Sequence, residues 1–299
     1  MSVRRFLPLL VAVGFIAAGC GDDKSSTAPT MSPGTSTPVS STETVTTTPA
    51  TTAPVATAPT STSPAAKNSV LVYFLLAEQL HVAGRLVDTA SPAAAVEALL
   101  AGPTADEVKA GMVSLIPAGT KLLGVDVQGH EIRVDLSGEF GTGGGSLSVM
   151  ARVAQVVFTA TQFPGIDTVR FSLDGSPITE LTGEGYMVDG AKRLQSVAVL
   201  PLVLLEHPYQ GETVGQPIRI SGVSNTFEAT VYYEVLGRDR AVLASGSIMA
   251  TSGSGTWGTF DAELPALPAG TTGTVIVRVF DRSSENGDPV AVNEVTVQL

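Results

Sequence analysis

The spacing of apolar and polar positions divides the chain into stretches of different character. A short apolar run, Phe6 to Ala18, follows Arg4 and Arg5. From Ser25 to Ala66 the residues are almost only Ser, Thr, Pro, Ala and Val, with Glu43 as the single charge. That stretch has no apolar period to bury, so burial cannot offset the entropy of ordering it. Periodic patterns begin near Asn68. SVLVYFLL, Ser69 to Leu76, is continuously apolar and predicts a strand buried on both faces. Ser91-Pro92 opens a helix, with serine as N-cap and proline in the first helical position; Val96, Leu99 and Leu100 form its stripe, and Gly102-Pro103 closes it. Thr104 and Glu107 have capping-box spacing for a short second helix that stops at Gly111.

KLLGVDVQGHEIRVDL alternates on either side of Gln128-Gly129-His130 and predicts a hairpin. After GTGGGS, Met150, Val153, Ala154 and Val157 share one face of a helix over 146–162. DTVRFSLDG, from Asp167, is a further strand and turn. The order strand, helix, short helix, hairpin, helix, strand predicts an α+β domain, a small sheet with helices on one face. From residue 196 the pattern changes to short alternating runs separated by Gly, Pro, Asn and Asp: AVLPLVLLE, PIRISGV, FEATVYYEVL, VLASGSIMA, GTWGTFDAEL, GTVIVRVFD and VAVNEVTVQL. Such spacing without a helical stretch predicts an all-β immunoglobulin-like sandwich. The expected organisation is a signal peptide over 1–19, an attachment cysteine and linker over 20–67, the α+β domain over 68–195 and the sandwich over 196–299.

Composition sharpens this picture at the N-terminus. Cys20 is the only cysteine, so no disulfide can form within one chain. A basic start, a short apolar run and small residues read as a secretory signal. Ala17-Ala18-Gly19-Cys20 resembles the bacterial lipobox, with Ala17 where leucine is usual. The resemblance implies cleavage before Cys20 and a diacylglyceryl group on its sulfur. Two acyl chains meet the requirement for stable anchoring, at about 0.8 kcal/mol per buried CH₂. The expected localisation is therefore the extracytoplasmic face of the cell membrane, with the Ser/Thr/Pro stretch as a spacer. Proline-rich chain reaches about 3.1 Å per residue at full extension, on the order of 100 Å for such a segment. The formal charge of −11 disfavours nucleic acid as a partner.

Few residues of the chain carry a chemical signature. His81, His130 and His207 are the three histidines and lack zinc-ligand spacing. GTGGGS lacks the Gly-Lys-Ser/Thr of a phosphate loop and reads as a connection. Asp126 and Asp135 are candidate paired carboxylates, or solvent-facing residues of the hairpin. DRSSENGD, Asp281 to Asp288, misses the calcium-loop register, and its Asn286-Gly287 signals a turn. Trp257, the sole tryptophan, is a candidate interaction anchor or a plug of the sandwich core. No cofactor or metal is expected, and no catalytic residue is assigned.

ALLAGP (Ala98 to Pro103), LIPAGTKL (Leu115 to Leu122), VDLSGEF (Val134 to Phe140) and ARVAQVVFTATQFPGIDTVRFSLDG (Ala151 to Gly175) resemble the GerMN domain family. HPYQGETVGQPIRISGVSNTFEATV (His207 to Val231), WGTFDAEL (Trp257 to Leu264) and the closing VFDRSSENGDPVAVNEVTVQL resemble the immunoglobulin-like domain of bacterial spore germination. These resemblances imply an association with sporulation, germination and the cell envelope, and carry over no catalytic residue. The expectation is a non-enzymatic envelope lipoprotein acting as scaffold or adaptor, attached to the membrane through Cys20, with envelope proteins or cell wall as partners. Sheet edges would receive partner strands. The alternative is a binding module for cell-wall glycan; a hydrolase ranks last.

Overall fold

The computed structural model describes residues 68–181, 185–195 and 197–299. The predicted signal, Cys20 and the linker lie outside the described residues. Strands β1 (Asn68–Leu76) and β2 (Gln79–Val87) form an antiparallel hairpin. Helices α1 (Pro92–Leu100) and α2 (Ala105–Lys109) follow. Ser91 caps α1 by accepting a hydrogen bond from the Ala94 N–H, and the Thr104/Glu107 box closes the start of α2 in both directions. Both caps are local and were readable from residue type and spacing alone.

Strands β3 (Leu122–Gln128) and β4 (Glu131–Leu136) make the expected hairpin. Helix α3 (Ser146–Ala160) crosses to β5 (Thr168–Leu173), which pairs parallel to β4, and β6 (Ser176–Ile178) completes a four-stranded sheet in the order β3-β4-β5-β6. Two short strands, β7 (Glu180–Leu181) and β8 (Tyr186–Met187), form a separate small hairpin. The first core lies between the β1-β2 hairpin, α1, α3 and the four-stranded sheet. It contains Val72, Phe74, Leu99, Ile132, Val153 and Phe171.

Three differences from the sequence expectation have physical causes. Strand β2 was not anticipated. Its turn uses Ala77 and Glu78, both at positive φ (49° and 66°), where a two-residue hairpin turn ordinarily signals itself by Asn or Gly. Helix α3 buries nearly its whole circumference rather than one face. Val149, Val153, Val156 and Val157 enter the first core, while Ala151, Ala154 and Phe158 point into a second cluster. Finally, the outer edge of β1 is closed to an added strand. Gln162 donates to the Leu71 carbonyl and accepts from its N–H, Gln155 donates to the Tyr73 carbonyl, and Leu75 exchanges both backbone bonds with Val113.

The second domain has the seven strands expected of it: β9 (Val203–His207), β10 (Arg219–Ser224), β11 (Thr230–Leu236), β12 (Val242–Met249), β13 (Gly258–Glu263), β14 (Thr274–Arg282) and β15 (Pro289–Gln298). They form one sheet of order β13-β10-β9 and another of order β12-β11-β14-β15. This three-on-four arrangement is an immunoglobulin-like sandwich. Alternation supplies its core: Val231, Tyr233 and Val235 from one sheet meet Ile220, Phe260 and Val203 from the other. Asn286-Gly287 lies in the β14–β15 turn, with Gly287 at φ 77°. The described residues of both folded domains group as one compact unit, so the two domains are packed together.

Candidate interaction site at the domain joint

The second cluster is the joint between the domains. Leu71, Tyr73 and Leu75, the odd-numbered face of β1, meet Phe158 of α3 and Leu204 and Val223 of β9 and β10. The segment between the domains adds Val199 and Leu200. The continuously apolar β1 is thus explained: its even positions serve the first domain's core and its odd positions serve the joint.

A buried polar network crosses the same joint. The Tyr73 hydroxyl donates to Glu206 of β9. Arg193 donates through Nη2 to Glu206 Oε1 at 2.5 Å and to Tyr73 Oη at 2.8 Å. Its guanidinium lies 4.4 Å from the Phe158 ring centroid. Burial, reinforced by the Glu206 carboxylate, pushes the Tyr73 phenol well above its ordinary range. Burial works against the Arg193 charge, but Tyr73 and Glu206 outweigh it and keep the guanidinium protonated. The network ties residues from the first domain, the connecting segment and the second domain together.

The loop after β9, Pro208 to Pro217, flanks the joint. Backbone bonds pin it to β15: Gly211 N–H donates to the Thr296 carbonyl at 2.7 Å, Val214 N–H to the Gln298 carbonyl at 2.8 Å, and Gln298 N–H to the Glu212 carbonyl at 2.9 Å. Within it, the Tyr209 ring lies against the Gly84 backbone of β2, where a β-carbon would overlap the ring. On one side of the loop is a hollow of about 460 Å³ lined by His207, Glu212, Arg219, Ser221, Asp261 and Pro217, among others. Arg219 and Asp261 form a bidentate pair at 2.6 and 2.5 Å. Those hydrogen bonds hold the Asp261 carboxyl below its usual range and raise Arg219. Glu212 Oε2 accepts from the Tyr209 N–H at 3.0 Å and lies 3.7 Å from His207 Nδ1. A second hollow of about 440 Å³ lies against the same loop, between Ser69, Gly84 and Leu86 of the first domain and Tyr209, Glu212 and Thr213 of the second.

The remaining sequence candidates are placed apart. Trp257 is half-buried and packs on the joint cluster rather than in the middle of the sandwich. His81 sits on β2, and His130 is exposed with Nδ1 2.8 Å from the Gly165 carbonyl oxygen. Asp126 is exposed and accepts from Gln128 Nε2 at 2.6 Å, whereas Asp135 accepts from the Gly175 N–H at 3.1 Å; the two carboxylates are engaged separately. Among the described residues, no group of three or more His, Cys, Asp or Glu is placed to hold a metal ion.

GTGGGS is occupied by a side chain that sequence reasoning missed. Arg152, almost wholly buried in α3, donates to the carbonyls of Phe140, Thr142 and Gly143 at 2.8, 2.8 and 2.6 Å. Burial lowers its pKa, and carbonyl dipoles rather than a carboxylate compensate the charge. A lone arginine on the apolar side of a helical pattern was the available signal.

Residues 71–179 match the family model described as Germane, sporulation and spore germination. Residues 202–288 match that of the immunoglobulin-like domain of bacterial spore germination. The first GerMN domain of the sporulation protein GerM from Bacillus subtilis is 24% identical, with 42% of this chain and 98% of that chain covered and a TM-score of 0.36. The tandem GerMN domains of the same protein are 18% identical, with 61% and 59% covered and a TM-score of 0.38. A candidate lipoprotein from Clostridium perfringens is 22% identical, with 43% and 89% covered and a TM-score of 0.32. No curated protein matches the sequence. Residues 71–179 are therefore similar to the sporulation and spore germination domain, and residues 202–288 to the immunoglobulin-like domain of bacterial spore germination.

Proposed function

We propose that this protein is a non-enzymatic cell-envelope lipoprotein, anchored through Cys20, that presents its two domains to envelope partners as one preassembled scaffold. The observation that carries the reading is the joint. Paired domains ordinarily move relative to one another unless their interface is large and apolar. Here an apolar seam and the Tyr73–Arg193–Glu206 network connect them. A fixed spacing between two recognition surfaces, held near the membrane, raises the effective concentration of a second partner once the first has bound. The germination-associated families of both domains fit an envelope role. Attachment through a lipid on Cys20 rests on the lipobox-like Ala17-Ala18-Gly19-Cys20; among the described residues no helix is long and apolar enough to cross a membrane.

Cell fractionation of the Cys20→Ser variant tests the anchor. Release from the membrane fraction, or accumulation of an uncleaved precursor, is expected; full processing with retained membrane attachment would overturn it. In-cell crosslinking from positions on both domains tests the scaffold. Capture of the same envelope partners from both domains is expected, and capture of none from either sinks the adaptor role.

A further inference from the structure

The two hollows beside the Pro208–Pro217 loop share Glu212 and Thr213. We infer that together they form one binding groove for a neutral, N-acetylated glycan chain, crossing the joint between the domains. Each hollow falls within the range of about 300–1,000 Å³ typical of ligand sites.

The chemistry of the walls favours a sugar. Glu212 and Asp261 offer carboxylate acceptors to hydroxyl and amide protons, while Arg219 and the Ser221 hydroxyl offer donors. Among the described residues, Glu212 Oε1 receives no hydrogen bond, and neither does the Tyr209 hydroxyl have a partner. The walls also carry apolar surface from Pro208, Val214 and Pro217 in the first hollow and from Leu86, which is 66% exposed, in the second. Alternating polar edges and apolar faces are what a pyranose ring and an acetamido methyl present. Two carboxylates against one fixed cation, on a chain of formal charge −11, disfavour a polyanion. The groove is also preorganised: the backbone bonds to β15 hold the loop, and the Arg219–Asp261 pair holds the far wall. Because the second hollow takes one wall from each domain, the site is complete only when the joint is formed. The proposal adds a ligand to the scaffold reading and does not depend on the lipid anchor.

Titration of the full chain with chitohexaose, a neutral N-acetylglucosamine chain, tests the inference, with tryptophan fluorescence or calorimetry as readout. Saturable binding is expected. It should weaken at least tenfold in Glu212→Gln, whose amide oxygen can still accept from the Tyr209 N–H, and in Leu86→Arg, which fills the second hollow from an exposed position. Retained thermal unfolding of each variant separates loss of site from loss of fold, and Asp126→Asn, remote in sequence and pairing, should bind as the parent does. Absence of saturable binding would overturn the proposal. So would unchanged affinity in both groove variants, or equal affinity for a polyanionic glycan such as hyaluronate. Cys20→Ser leaves the groove intact, so failure of the anchor and failure of the groove are distinguishable.

Discussion

The Tyr209 ring lies against the Gly84 backbone across the domain joint, so closely that a β-carbon at position 84 would overlap three of its atoms. Gly84 is therefore required by a close approach, not by its own backbone angle. Gly84→Ala should destabilise the protein by about 1–3 kcal/mol, the range for overpacking a filled site. Adding Tyr209→Ala should recover part of that loss. Urea unfolding of the two single variants and the double variant measures the coupling. Strict additivity would show that the ring and the glycine do not constrain each other.

Arg193 is the cation of a joint whose anion, Glu206, has only 13% of its side chain exposed. Arg193→Met would leave that carboxylate without its charge partner. A loss of about 3 kcal/mol is expected, since removing one member of a buried pair strands the other. Arg193→Met combined with Glu206→Met should cost less than the single change. Equal stability of Arg193→Met and the parent would place the joint's strength in its apolar contacts alone.

Arg152 closes the carbonyls of 140, 142 and 143 in place of any external ligand. Arg152→Met should leave them unpaired, at about 1–3 kcal/mol for each buried group that water cannot reach. Amide hydrogen exchange should accelerate over the Gly-rich loop and the first turn of α3 more than in the second domain. Arg152→Lys should not restore protection, because an ammonium lacks the planar fork that spans three acceptors. Unchanged exchange in both variants would contradict this role.

Burial pushes His81 below the ordinary imidazole range, against a smaller upward pull from Glu107. The unfolded chain then binds a proton near about pH 6.5 that the folded chain takes up only at lower pH. Between those two values the unfolded state holds more protons, so stability rises with pH through the window and is fully present above it. Acidification from neutral pH should therefore cost stability, and His81→Gln should flatten the slope. Urea midpoints across the window, for parent and variant, give the comparison; parallel slopes would exclude His81 as their source.

Ala77 and Glu78 occupy left-handed turn positions that Asn and Gly fill without strain. Ala77→Asn with Glu78→Gly should stabilise the β1-β2 hairpin by roughly 0.5–1 kcal/mol. Thermal or urea unfolding checks the sign. A decrease would mean that the parent residues make contacts outweighing their backbone cost.

Legibility followed the range of each interaction. The caps at Ser91 and Thr104, the turn at Asn286-Gly287 and the seven short strands depend on neighbours a few residues apart, and all were readable from residue types. Strand β2 was hidden because its turn carries none of the usual residues. The joint was hidden for another reason: Tyr73, Arg193 and Glu206 are up to 133 residues apart in sequence, and Arg193 and Glu206 carry no periodicity of their own. Likewise, Glu212 and Asp261 are ordinary surface carboxylates until β10, β13 and the loop after β9 bring them to one hollow.

By itself the sequence determined the two-domain organisation, the β-rich character of the second half, the caps, and the expectation that the lone cysteine is an attachment point. These depend on composition, spacing and local hydrogen bonding. Only the tertiary structure decided that β1 and α3 serve two cores at once, that the Gly-rich loop encloses an arginine, and that residues of both domains line one hollow beside the joint. An apolar run records that it must be buried, because water excludes it, but not which surface covers it; that surface is set by packing between segments far apart in the chain.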